Sequence, residues 1–134
     1  MTASSFDPTP STDLLRVDVQ DSDPTVSEPT VLVTATGEVD STSSSLLRQR
    51  LDDLLDGDVR EFTVDLVGVT FLDSAGLSVL ASAHRRAVRQ GVRMRVLASS
   101  RAVIRPLEIT GLWQLLGAER VEAAASRQEE VAAS

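Results

Sequence analysis

The chain contains no cysteine, no lysine and no tyrosine. Without cysteine there is no disulfide frame, no thiolate metal site and no cysteine nucleophile. All thirteen basic residues are arginine, so the P-loop lysine and Schiff-base catalysis are excluded together. An aspartyl-phosphate receiver is excluded for the same reason, because its chemistry needs a lysine and an acidic pair beside the acceptor. Aromatic residues make up 3% of the 134 positions, so a core must be built from Leu, Val, Ile and Ala. No apolar run approaches the ~20 residues needed to span a bilayer. The first thirteen residues lack the basic-then-apolar design of a secretion signal. This size suits one domain with its own core, and a cytoplasmic address without membrane insertion is expected.

Charge narrows the field further. A net charge of −7 disfavours direct nucleic-acid binding, which relies on Lys and Arg meeting phosphates, and favours a protein partner with basic residues. Enzyme chemistry lacks its parts. The single histidine, His84, falls on the apolar side of a helical pattern and reads as a packing residue. Asp52, Asp53, Asp56 and Asp58 surround Gly57, but Leu54 takes a middle ligand position and Thr63 stands where a calcium loop needs glutamate. They read as a solvated helix end, and the expectation is no catalytic residue, no metal and no cofactor.

Along the chain, strands and helices alternate after a polar start. Residues 1–13 are rich in Ser, Thr, Pro and Asp and are expected to be a disordered tail, with one domain over 14–134. Leu14 to Val19 alternates as a first strand. Two prolines make Asp21 to Pro29 a loop, and Thr30 to Thr36 is a strand that Gly37-Glu38-Val39-Asp40 should break. Ser41 to Ser45 offers caps for a helix with a Leu47, Leu51, Leu54 and Leu55 stripe, ended by Gly57. Glu61 to Leu66 alternates as a strand. A helix then runs to Gly91 with Leu77, Leu80, Ala81, His84 and Val88 on one face.

Val92, Met94 and Val96 form the inner face of another strand, and Ser99 or Ser100 caps a third helix containing Pro106, which should kink it. Leu112 to Leu116 suggests a short last strand, and Glu122 to Ala133 a weak terminal helix. The expected class is α/β: a mixed β-sheet of four to five strands with helices packed mainly on one face.

The most informative stretch is Val67-Gly68-Val69-Thr70-Phe71-Leu72-Asp73-Ser74-Ala75-Gly76-Leu77, where an apolar β-branched run stops and a helical pattern opens at once. Asp73 and Ser74 suit a first helical turn, because their oxygens accept from backbone N–H groups lacking partners. A phosphate on Ser74 would be tolerated there while adding about −1.5 to −2 units of charge. By itself the stretch fits an ordinary capped helix as well as a regulatory serine.

The ordered combination resembles a STAS domain of the anti-sigma-factor antagonist family. Gly37-Glu38-Val39-Asp40 is similar to that family's G-E-[LVI]-D segment, and Val64-Asp65-Leu66 leading into Phe71 to Leu77 to its phosphorylation loop. Gly91-Val92-Arg93-Met94-Arg95-Val96 resembles the next strand, and Ile109-Thr110-Gly111-Leu112 the S/T-G-L after the third helix. Ala75 and Pro106 depart from the family's usual pattern without removing the acceptor. The resemblance implies a regulatory protein rather than an enzyme. Unphosphorylated, it would bind an anti-sigma factor with serine kinase activity and so release a sigma factor. Phosphorylation of Ser74 would inactivate it, and a PP2C-type phosphatase would restore it. Asp40, Asp73, Ala75, Gly76 and Leu77 match the partner-contacting positions. The rival expectation is a constitutive STAS scaffold or transport-associated module, in which Ser74 merely opens a helix.

Overall fold

The computed structural model of the chain describes residues 14–21 and 30–122; the expected tail, the Asp21–Pro29 loop beyond Asp21 and the terminal helix beyond Glu122 lie outside them. Five strands, β1 (Leu15–Asp21), β2 (Val31–Val39), β3 (Glu61–Leu72), β4 (Arg93–Ala98) and β5 (Glu119–Arg120), stand in sequence order across one sheet. β1 runs antiparallel to β2, and β2 through β5 are mutually parallel. Helices α1 (Ser44–Asp56), α2 (Ser74–Gln90), α3 (Arg101–Ile109) and the single turn α4 (Leu112–Leu115) make the crossovers. The architecture is the mixed α/β class expected from the alternation.

Strand alternation builds the core. Leu15 and Val17, Val33 and Ala35, Phe62, Val64 and Leu66, and Met94, Val96 and Ala98 are buried, while Arg16, Thr36, Arg93 and Arg95 on the opposite pleat are exposed. Helix α1 closes this face with Leu47, Leu51 and Leu55, all essentially inaccessible, while Leu54 is half-buried. Helix α2 buries Gly76, Val79, Leu80, Ala83 and Ala87. That differs from the stripe read off the large apolar residues: Ala81 and His84 are half-buried and Val88 is 63% exposed. Leu80 of that stripe is buried, but Gly76, Ala83 and Ala87 are buried too, so bulk was an incomplete guide to the inner face. Helix α3 buries Val103, Ile104 and Leu107 and lies along β3.

Several boundaries move for physical reasons. β2 does not break at Gly37 but continues to Val39 beside β3, with irregular register between Thr34 and Thr36 and again at Gly37. Gly37 makes this possible: its φ is 115°, and a Cβ there would sit 2.1 Å from the Leu14 carbonyl oxygen. β3 likewise runs past Leu66 to Leu72 because β2 continues alongside it. Gly57 ends α1 in extended rather than left-handed backbone, its N–H donating to the Leu54 carbonyl at 3.1 Å. Gly91 does take the left-handed conformation after α2. The expected strand from Leu112 is instead the turn α4, entered through left-handed Gly111, and β5 follows it. Pro106 lies inside α3, which continues to Ile109, and the Thr110 hydroxyl donates to the Pro106 carbonyl at 2.8 Å.

Candidate functional site

Two parallel strands bring the two sequence motifs to one edge. Val39 pairs with Leu72, and the Asp73 N–H donates to the Val39 carbonyl at 3.1 Å. Asp40 therefore leaves the end of β2 beside the point where Asp73 and Ser74 leave β3. The parallel sheet makes this juxtaposition, since both segments emerge from the C-terminal ends of neighbouring strands.

Asp73 is the N-cap of α2. Its Oδ1 accepts from the N–H groups of Ala75 (2.9 Å) and Gly76 (3.2 Å), and its carbonyl accepts from Leu77 N–H at 3.0 Å. These bonds satisfy donors that the first turn would otherwise leave open. Ser74, the first helical residue, is exposed, and its hydroxyl makes no hydrogen bond among the described residues. Asp73 does the capping and Ser74 is presented.

The first turn rests on Gly76. A Cβ there would lie 2.5 Å from Leu72 Cδ1 and 2.8 Å from Val39 Cγ1. Gly76, expected among the partner-contacting residues, is thus buried and sets how closely α2 approaches the ends of β2 and β3. Ala75 and Leu77 are half-buried.

Asp40 also has a structural task that the sequence reading assigned to the serines. Its Oδ1 accepts from Thr42 N–H (2.9 Å) and Ser43 N–H (3.0 Å), and its carbonyl accepts from Ser44 N–H at 2.8 Å. Ser43, at the N-cap position of α1, makes no side-chain cap bond. Its fully buried hydroxyl instead donates to the Glu38 carbonyl (2.7 Å) and accepts from Asp40 N–H (3.0 Å). The hydrogen bonds from Ser43 N–H, ahead of those from Thr42 and the Ser43 hydroxyl, hold the Asp40 carboxyl below its ordinary value. In both aspartates Oδ1 carries the turn, and Oδ2 has no hydrogen bond among the described residues.

Phe71 was missed in the sequence. It pairs with Glu38 across β2 and β3, and 46% of its surface is exposed two residues before Asp73. An exposed aromatic three residues before Ser74 is the kind of apolar surface that interfaces favour. Its strand position gave a weak signal, since alternation from Phe62 through Leu66 is disrupted by the register shifts before Phe71. Ser43 carried none that separated it from its serine neighbours.

The STAS domain family model matches residues 21–125. The chain belongs to the STAS domain family. The anti-sigma-F factor antagonist RsfB of Mycobacterium tuberculosis is 29% identical over 76 residues, covering 57% of this chain and 62% of RsfB. The matched STAS segment thus spans somewhat under two thirds of that relative. Among solved structures, an anti-sigma factor antagonist from Mycobacterium paratuberculosis has a TM-score of 0.72 at 24% identity, covering 88% of this chain and 96% of that one. The Bacillus cell fate determinant SpoIIAA, solved in its phosphorylated form, has a TM-score of 0.58 at 18% identity, covering 83% and 97%. Both share the STAS fold with this chain. No helix among the described residues is long and apolar enough to cross a membrane.

Proposed function

We propose that this STAS domain is an anti-sigma-factor antagonist whose binding edge is the Asp40–Ser43 turn, Phe71 and the first turn of α2, and that phosphorylation of Ser74 switches it off. The carrying observation is the division of labour at α2: Asp73 caps the helix, leaving the Ser74 hydroxyl exposed at the start of the first turn and without a hydrogen bond among the described residues. The names of its relatives support the same role. The partner is an anti-sigma factor with serine kinase activity. Ser74 Oγ attacks the terminal phosphorus of ATP, the new O–P bond forms as the bond to ADP breaks, and the hydroxyl proton leaves to solvent or a kinase base. A PP2C-type phosphatase hydrolyses the ester and resets the switch.

Charge explains why the ester would break the complex. The phosphate places about −1.5 to −2 units beside the Asp73 carboxylate, on an edge that also carries Asp40 and Glu38. A partner docked there must desolvate the dianion next to like charges. A loss of ~4 kcal/mol weakens binding about a thousandfold.

The test is phosphate mapping by mass spectrometry after incubation with ATP and anti-sigma kinases from the same genome, followed by affinity measurement. Ser78 makes a useful internal control, since it is exposed one turn along the same helix. Phosphate should appear at Ser74 and vanish in Ser74→Ala but not Ser78→Ala. Ser74→Ala should bind persistently, and Ser74→Asp poorly. Equal binding by both variants, with Ser74 never phosphorylated, would instead establish the constitutive scaffold.

A further inference from the structure

On the same end of the sheet, but across β4 from Ser74, a second surface carries the opposite charge. An open cleft of about 320 Å³ lies between α3 and β5, lined by Arg101, Ile104, Arg105, Glu108 and Arg120. Arg101 opens α3 immediately after β4, and Arg120 pairs with Ala98 at the end of that strand. The residues at 101, 105 and 108 share one face of α3 by helical spacing. Three guanidinium groups thus stand against one carboxylate, on a chain whose net charge is −7.

Four arginines of the described residues are paired with carboxylates, while Arg48, Arg60, Arg85, Arg89 and Arg93 are not. What sets the cleft apart is that it gathers three arginines at one place. Arg86 pairs with Asp52 and Asp56, Arg50 with Asp53, Arg95 with Glu119 and Arg16 with Asp18. Arg101, Arg105 and Arg120 form no ion pair within 4.0 Å among the described residues, although Glu108 lines the same cleft. Like charges at i, i+4 repel on a helix surface, so Arg101 and Arg105 do not stabilise α3 through each other where they stand. Apolar surface adjoins them: Ile104 floors the cleft at 8% exposure, and Ile109, one turn beyond Arg105, is 72% exposed.

We propose that the α3–β5 cleft docks an acidic segment of a partner protein, with Arg101, Arg105 and Arg120 meeting its carboxylates and Ile109, one turn beyond Arg105, an apolar side chain flanking them. Charge complementarity argues for an acidic occupant, and arginine suits paired recognition of carboxylates. The open shape and the exposed Ile109 argue for a peptide segment over a single small anion, which would be held by enclosed donors. The proposal is independent of Ser74, because the cleft lies beyond β4 and shares no residue with the Asp40–Leu77 edge.

The probe is a fluorescein-labelled peptide in which glutamate pairs alternate with leucine, titrated with the purified full chain by fluorescence anisotropy at low salt. Binding should saturate and weaken about tenfold in Arg101→Glu/Arg105→Glu, and less in Arg120→Glu. Arg48→Glu, exposed on α1 without an ion pair among the described residues, should bind like the parent. Circular dichroism melting verifies the fold; if the Glu pair is unfolded, Arg101→Gln/Arg105→Gln supplies the same comparison. Absence of saturable binding would overturn the proposal, as would an equal loss in Arg48→Glu. Complete displacement of the peptide by inorganic phosphate at matched ionic strength would overturn it in favour of a small-anion site.

Discussion

At the scale of single residues, Asp40 carries a structural task on the edge proposed for recognition. Its Oδ1 ties down the turn entering α1, so Asp40→Ala should lower the melting temperature by several degrees, measured by circular dichroism. Asp40→Asn should keep most of that stability, because an amide oxygen still accepts from Thr42 and Ser43. The sign of the pH effect follows from the lowered folded pKa. The charge contributes fully above the ordinary carboxyl value of 3.8, and its contribution is lost as pH falls through the lower folded value. The melting gap between parent and Asp40→Asn should therefore narrow as pH drops from about 5 toward 2. A gap independent of pH would mean that the charge itself contributes nothing. Gly76 makes a second residue-level case. Alanine is the better helix former, at this first-turn position by at most about 1 kcal/mol, the helix-interior figure. Here its methyl would press on β-branched Val39 and on Leu72, and such overpacking costs about 1–3 kcal/mol. Gly76→Ala should thus be destabilising in urea titration despite its better helix propensity. A stabilised variant would show that α2 can shift away from β2.

At the scale of elements, α1 and α2 are held together by a packed inner face and a polar outer seam. Leu51 is 1% exposed at the centre of the α1 stripe, so Leu51→Ala should cost about 2–5 kcal/mol in the same titration. A loss below ~0.5 kcal/mol would be that of a surface position. The seam is Arg86, which reaches Asp56 and, at 3.5 Å, Asp52, while Gln90 donates to the Leu55 carbonyl at 2.8 Å. Two of the acids that read in sequence as a solvated helix end are therefore partners of α2. Opposed charges at partly exposed positions are screened by salt. The drop in melting temperature on Arg86→Ala should be larger in dilute buffer than in molar NaCl. A salt-independent drop would assign the effect to lost packing of the arginine stem.

For the molecule as a whole, stability and switching should separate. Ser74 is exposed at a helix N-terminus, where negative charge is accepted, and among the described residues no buried group depends on its hydroxyl. Ser74→Asp should accordingly unfold at the temperature of the parent within a few degrees, measured by calorimetry, even where it fails to bind its partner. A large fall in melting temperature would make the lost binding a consequence of unfolding rather than of charge at the interface. The α3–β5 cleft belongs to the same end of the sheet, so one molecule presents an acidic edge and a basic cleft side by side. That arrangement comes from parallel strands, which deliver every following segment to one end.

The division between chain and fold is visible in particular residues. Strand alternation from Phe62 to Leu66, the Leu47–Leu51–Leu55 stripe and the Asp73-Ser74 helix start were legible in sequence because each depends on local periodicity or on capping within a turn. The α/β class followed from their order. The inner face of α2 was only partly legible: Leu80 is buried as expected, but Gly76, held against Val39 and Leu72, and small Ala83 and Ala87 are buried where larger Leu77 and Val88 are not. Nor was the continuation of β2 through Gly37: a glycine that breaks an isolated strand can, beside β3 and under Leu14, be the residue that fits. Leu112 to Leu116 was apolar enough for a strand, but left-handed Gly111 and burial of Leu116 made it a turn. The candidate edge divides the same way. Capping chemistry singled out Asp73–Ser74 and the family resemblance Asp40, whereas their proximity, the exposure of Phe71 and the gathering of Arg101, Arg105 and Arg120 required the parallel sheet. Short-range hydrogen bonding is written in neighbouring residues; which distant surfaces meet is decided by packing around a shared core.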